Sequence, residues 1–135
     1  MTTAVDTNIL IDIFAADPAF GQASAQAIRG YLEKGALVAC AVVWAETATA
    51  FPDEQAFVNT MITLGVGYSD SSQESALLAA SAWRRYRKKG GTRKRVVADF
   101  LIAAHAQTHC DRLLTRDRGF YKNYFNDLVI IDPTE

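Results

Sequence analysis

Four acids stand where they pack awkwardly and could do chemistry: Asp6, Glu46, Asp99 and Asp117. Asp6 follows the short apolar run of AVDTNIL, Asp99 opens the alanine-rich ADFLIAAHA, Asp117 follows the leucines and threonine of LLTRD, and Glu46 lies in VVWAET. Singly, three of them have ordinary explanations. Asp99 can cap a helix start, Glu46 can face solvent on a helix, and Asp117 can form a turn. Asp6 resists this, because an acid directly after a buried strand is poor filler. Brought together, the four would repel. A pair about 4 Å apart costs ~1 kcal/mol in water and ~4 kcal/mol at an effective dielectric of about 20. Such a cluster must raise its pKa values or hold cations. An all-oxygen set without His or Cys suits a hard ion, Mg2+ or Mn2+, rather than zinc. That points to phosphoryl-group chemistry, hydrolysis by a metal-activated water.

Whether the acids meet depends on the elements that carry them. The pattern predicts a strand over 4–6, a short helix over 9–15, and a second helix that Pro18 opens and Gly35 ends near residue 34. A buried strand over 37–41 leads into a helix over 43–50, broken by Pro52. Asp53 then caps a helix to about Leu64. A short strand around Gly65 and Gly67 ends near Tyr68. Ser71 and Ser72 start a helix running to about Lys89, where Gly90 and Gly91 break it. A helix over 97–108, a strand over 112–115, a helical turn over 119–124 and a strand over 128–131 complete the chain. This alternation predicts a three-layer α/β/α domain with a central parallel sheet of about five strands. Such sheets bind ligands outside the carboxyl ends of their strands. Asp6 ends the first strand, Glu46 lies early in the helix after the second, Asp99 sits in the first turn of its helix, and Asp117 lies just past the fourth strand. All four therefore fall on one edge.

The chain has 135 residues, half of them hydrophobic. That suits a single domain over 1–135 with a real core. Cys40 and Cys110 form no CxxC or Cys/His ligand spacing and read as buried free thiols of a reducing compartment. The N-terminus lacks a basic stretch followed by an apolar one, so no secretory signal is expected. The longest apolar run, 36–45, is far short of the ~20 residues of a membrane helix. A soluble cytoplasmic protein is expected. The net charge of −1 announces no polyanionic partner, yet eight of the fourteen Lys and Arg residues lie in the segment RRYRKKGGTRKR at 84–95. Its first half can be a solvated helix end favoured by the helix dipole. Arg93, Lys94 and Arg95 lie past the break, just before Asp99, and suit a nucleic-acid backbone crossing beside the acids. Arg116 and Arg118 flank Asp117 and suit the same phosphates. His105 and His109 share one helix face at a zinc-compatible spacing, but no third soft ligand is evident. Trp44, Trp83, Phe51 and Phe57 read as core before docking surface. Asp12, within ILIDIF, stands outside the primary set.

Taken in order, VDTNIL, WAET, ADFLIAAHA, LLTRDRGF and the final VIIDP resemble the PIN-domain ribonucleases, above all the VapC-type toxins of type II toxin–antitoxin pairs. The resemblance runs over nearly the whole chain. It implies that Asp6, Glu46, Asp99 and Asp117 are catalytic and surround one or two Mg2+ or Mn2+ ions. It implies that Thr7, Asn8 and Thr115 orient those acids by hydrogen bonds. It also implies an RNA substrate, hydrolysed at its phosphodiester bonds, and a cognate VapB-like antitoxin lying over the active site. A homodimer or a toxin–antitoxin hetero-oligomer is the implied assembly.

Two other readings compete. A phosphatase or phospho-acceptor would use Asp6 as nucleophile, but a haloacid-dehalogenase-type site would want an acid where Asn8 stands, and a receiver domain would want a lysine near Ile131. The other is a non-catalytic PIN-fold module that binds RNA or protein. A decayed site would normally have lost an acid, and all four are present.

Overall fold

The computed structural model describes residues 1–91 and 96–135. The elements are β1 (Thr2–Val5), α1 (Thr7–Phe14), α2 (Gly21–Leu32), β2 (Ala36–Cys40), α3 (Ala41–Ala48), α4 (Glu54–Leu64), β3 (Val66–Ser69), α5 (Gln73–Lys88), α6 (Val97–His109), β4 (Arg112–Leu114), α7 (Arg118–Tyr124) and β5 (Ile130–Ile131). The five strands form one all-parallel sheet in the order β3-β2-β1-β4-β5, covered by helices as a three-layer α/β/α fold. The chain runs outward from β1 to β3, then crosses to the other side of β1 to place β4. The strand order thus reverses between β1 and β4, the position at which an open parallel sheet leaves a crevice at its carboxyl end.

Local chemistry sets most of the boundaries. Asp53 caps α4 by accepting from the Ala56 N–H at 2.8 Å, and Ser72 caps α5 by accepting from the Ser75 N–H at 3.1 Å. Gly65 ends α4 with φ of 88°, a left-handed conformation that a side chain would strain. Several boundaries move by one to three residues, two of them for a plain local reason. The second helix begins at Gly21 rather than Pro18, because the Asp17 carboxylate accepts from the N–H groups of Ala19 and Phe20 at 2.8 and 2.9 Å and holds residues 17–20 as a turn. The last strand is only two residues, since Leu128 turns back to bond the Phe125 carbonyl.

The core lies between sheet and helices, with Val5, Ile9, Leu10, Leu113 and Leu114 almost fully buried. Each such aliphatic side chain contributes roughly 1.5–3 kcal/mol. On α6, Ala103, Ala104 and Ala106 are fully buried, and their small size lets this helix approach its neighbours closely. Phe100 of α6 joins Trp83 and Tyr86 of α5 and Phe120 and Tyr124 of α7 in a continuous set of aromatic contacts. That cluster fixes α7, and with it the loop carrying Asp117. Phe57 is buried, while Trp44, Phe51 and Trp83 pack partly buried against the core. Among the described residues no helix is long and apolar enough to cross a membrane.

Candidate active site

Register builds the centre of the site. Val5 of β1 pairs with Leu114 of β4, so the next residues, Asp6 and Thr115, leave the sheet side by side. Both continue the ladder: the Asp6 N–H bonds the Leu114 carbonyl, and the Thr115 N–H bonds that of Ile131, each at 3.0 Å. Asp6 then caps α1, its Oδ1 accepting from the Thr7 N–H at 2.7 Å. Its Oδ2 accepts from the Thr115 hydroxyl at 2.8 Å, from the Tyr121 hydroxyl at 3.0 Å and, weakly, from Asn8 Nδ2 at 3.4 Å. Asp6 is 5% exposed. Burial pushes its pKa up to about 6; the donors from Thr115, Tyr121 and Thr7 offset part of that rise, and the charge of Asp99 adds to it.

The other three acids reach the same place from different elements. A cleft of about 330 Å³ is lined by Asp6, Glu46, Asp99 and Asp117, with Thr7, Asn8, Asp12 and Arg116 also on its walls. Asp99 is the third residue of α6 and reaches back toward the Val96 N–H at 3.4 Å. Asp117 occupies the N-cap position of α7, and its own N–H bonds Thr115 Oγ1 at 3.0 Å. Glu46 is sixth in the eight-residue α3, not early in it. It still enters the cleft, where the Thr7 hydroxyl donates to its Oε1 at 2.7 Å. Thr7 thus bridges two acids, one through its backbone and one through its side chain.

Thr115 and Asn8 tie the centre together. Thr115 Oγ1 accepts from Asn8 Nδ2 at 3.2 Å while donating to Asp6, and Asn8 Oδ1 accepts from the Arg116 N–H at 3.2 Å. The donor set is all oxygen and anionic, and its central member carries a charge that burial penalises. Both properties fit a hard divalent cation. The acids line a common cleft rather than a finished coordination sphere: among the described residues no three Asp, Glu, His or Cys side chains form a group that could hold a metal ion as placed.

Two arginines beside Asp117 behave differently. Arg116 lines the cleft with its guanidinium gripped by Asp12, Nε to Oδ2 at 2.6 Å and Nη2 to Oδ1 at 2.9 Å, and with its Cζ over the Phe20 ring, 4.0 Å from the centroid. Arg118 pairs with Glu135 near the surface. Arg93, Lys94 and Arg95 lie outside the described residues. His105 is buried with Nε2 2.8 Å from Ser69 Oγ, and His109 has Nε2 2.9 Å from Ser72 Oγ. Burial, then the neighbouring His109, lowers the His105 pKa to about 4, as expected of a core imidazole.

A family model of the PIN domain matches residues 3–126. The chain belongs to the PIN domain family. No curated protein sequence gives a significant match. Among solved structures, this PIN domain is similar to a chain of VapBC2 from Rickettsia felis bound to a DNA fragment from its promoter, with a TM-score of 0.76, 17% identity and 98% of each chain covered. It is similar to a chain of VapBC-1 from nontypeable Haemophilus influenzae, with a TM-score of 0.75, 20% identity and 100% of each chain covered. It is also similar to VapC20 from Mycobacterium tuberculosis, described as a sarcin-ricin loop cleaving toxin, with a TM-score of 0.54, 18% identity and coverage of 82% of this chain and 86% of that one.

Sequence reasoning missed one residue of this PIN site. Tyr121, 1% exposed, sends its hydroxyl to Asp6 from 115 positions away. Burial, then the charges of Asp6 and Asp99, keep its phenol protonated well above the ordinary pKa. The available signal was its place four residues after Asp117, which puts it on the inner face of the helix that Asp117 begins.

Proposed function

We propose that this PIN domain is a metal-dependent endoribonuclease and the toxin of a toxin–antitoxin pair, acting in the cytoplasm. The observation that carries the reading is the meeting of Asp6, Glu46, Asp99 and Asp117 in one cleft at the carboxyl end of the sheet. Family membership and the likeness to VapBC chains support it. These four acids would hold one or two Mg2+ or Mn2+ ions. When bound, the ion supplies positive charge at the scissile phosphodiester and lowers the pKa of water, as such ions do in phosphodiester hydrolysis.

The chain's own residues prepare that step. Thr7 and Thr115 fix the carboxylates of Glu46 and Asp6 by hydroxyl donation, so little reorientation is needed when substrate arrives. Arg116, held at the cleft wall by its pairing with Asp12, would offer its remaining N–H donors to a passing substrate phosphate. Arg93, Lys94, Arg95 and Arg118 would extend that phosphate contact along the RNA. A VapB-like antitoxin would cover the cleft, in a hetero-oligomer or across a toxin homodimer.

The decisive variant is Asp6→Asn. RNA cleavage should require Mg2+ or Mn2+, stop on chelation, and fall about 100- to 1,000-fold in Asp6→Asn, with circular dichroism unchanged. Cleavage that survives chelation or this variant refutes the assignment. Expression with and without the neighbouring open reading frame, followed by mapping of RNA ends, tests the toxin role: growth arrest with new ends is expected only when the neighbour is absent.

A further inference from the structure

The hydrogen bonds around Asp6 are unequal on its two oxygens. Oδ2 accepts two hydroxyl donors, Thr115 at 2.8 Å and Tyr121 at 3.0 Å. The Thr115 proton is committed there, because both Asn8 Nδ2 and the Asp117 N–H already donate to Thr115 Oγ1. Oδ1 accepts the Thr7 N–H at 2.7 Å and, among the described residues, no second donor. A carboxylate oxygen has two in-plane lone pairs. With these two hydroxyls, and the weaker Asn8 amide at 3.4 Å, Oδ2 has no lone pair left, while Oδ1 of this cleft-lining residue keeps one. Tyr121 reaches this oxygen from α7, whose aromatic neighbours Phe120 and Tyr124 are locked against α5 and α6. Its own N–H bonds the Asp117 carbonyl at 3.4 Å. One short helix thus carries Asp117 at its start and, a turn later, a hydroxyl that holds Asp6.

We propose that Tyr121 is a positioning residue of the cation site: with Thr115 it occupies Asp6 Oδ2 and so makes Asp6 a ligand through Oδ1 alone. This rests on the proposed metal site and specifies its geometry. The Tyr121 ring fills core space regardless of this role, so the hydroxyl must be tested apart from the ring. Tyr121→Phe removes the hydroxyl and keeps the ring. Tyr124→Phe removes a hydroxyl from the same helix and is the control.

The experiment is Mn2+ titration by calorimetry on RNA-free protein, with urea unfolding of each variant alongside. Wild type should bind, Tyr124→Phe should bind equally, and Tyr121→Phe should bind about 10-fold more weakly with a nearly unchanged unfolding midpoint. Equal affinity for Tyr121→Phe and wild type overturns the proposal while leaving the nuclease reading intact. Absence of Mn2+ binding by wild type overturns the metal site itself, and this proposal with it. Should Tyr121→Phe fail to fold, ultraviolet resonance Raman of the tyrosine Fermi doublet supplies the second test. Asp6→Ala should shift the doublet away from that of a hydrogen-bond-donating phenol, and an unchanged doublet overturns the proposal.

Discussion

Asp6 holds a buried carboxyl whose pKa stands at about 6, against 3.8 for the unperturbed group. The direction of that shift fixes a pH dependence. Between those two values the folded chain keeps a proton that the unfolded chain has released, so folding is favoured at the acid end. This contribution is full below about pH 4 and is lost as pH rises through about 6, leaving ionised Asp6 as a cost of about 3 kcal/mol at neutrality. Asp6→Asn carries no such proton. In metal-free buffer, the urea stability of wild type relative to Asp6→Asn should therefore fall from pH 4 to pH 7 by roughly that amount. A flat difference between the two proteins would show that Asp6 titrates normally. Asp6 was legible in the sequence because an acid ending a buried strand has little else to do. Tyr121 was not, since a buried aromatic already explains itself by packing, and its donor role appears only once α7 is docked against α5 and α6.

At the scale of elements, the Asp12–Arg116 pair joins α1 to the loop between β4 and α7. Asp12 shows only 4% of its side chain to solvent, and Ser24 of α2 adds a hydrogen bond to its Oδ2 at 3.0 Å. Arg116 is 27% exposed at its side chain. The two ends of the pair are therefore not equivalent. Arg116→Ala strands a buried charge and should cost about 3 kcal/mol. Asp12→Asn keeps an acceptor for Ser24 and leaves a guanidinium that can turn to water, and should cost about 1 kcal/mol. Urea denaturation of the two variants measures the difference, and the reverse order would mean that Arg116 is the group the fold cannot leave alone. In ILIDIF the apolar neighbours of Asp12 announced burial, but its partner lies 104 residues away and no local pattern could name it. Pro18 misled for the opposite reason. Its local preference for a helix start is real, yet the Asp17 carboxylate takes the N–H groups of Ala19 and Phe20 and delays the helix to Gly21.

For the molecule as a whole, the cleft is a consequence of topology more than of any one segment. Its acids come from the end of β1, the second turn of α3, the first turn of α6 and the start of α7, and they share a cleft because strand order reverses between β1 and β4. That is why alternation of strands and helices, together with the positions of four acids, was enough to anticipate the cleft without any contact being visible in the sequence. It also ties ligand binding to the whole fold, because unfolding any of these elements disperses the acids. A cation bound there should stabilise global unfolding by mass action, about 2.7 kcal/mol at 100 times its dissociation constant. For a chain of this length that corresponds to a rise in Tm of roughly 10 °C. Saturating Mn2+ at constant ionic strength should produce this rise in wild type, chelation should reverse it, and Asp6→Asn should show little of it. Amide exchange should slow across β1, α3, α6 and α7 together. A gain confined to one helix would place the ion on a surface carboxylate pair, and a Tm that ignores Mn2+ would refute a cation site in this cleft.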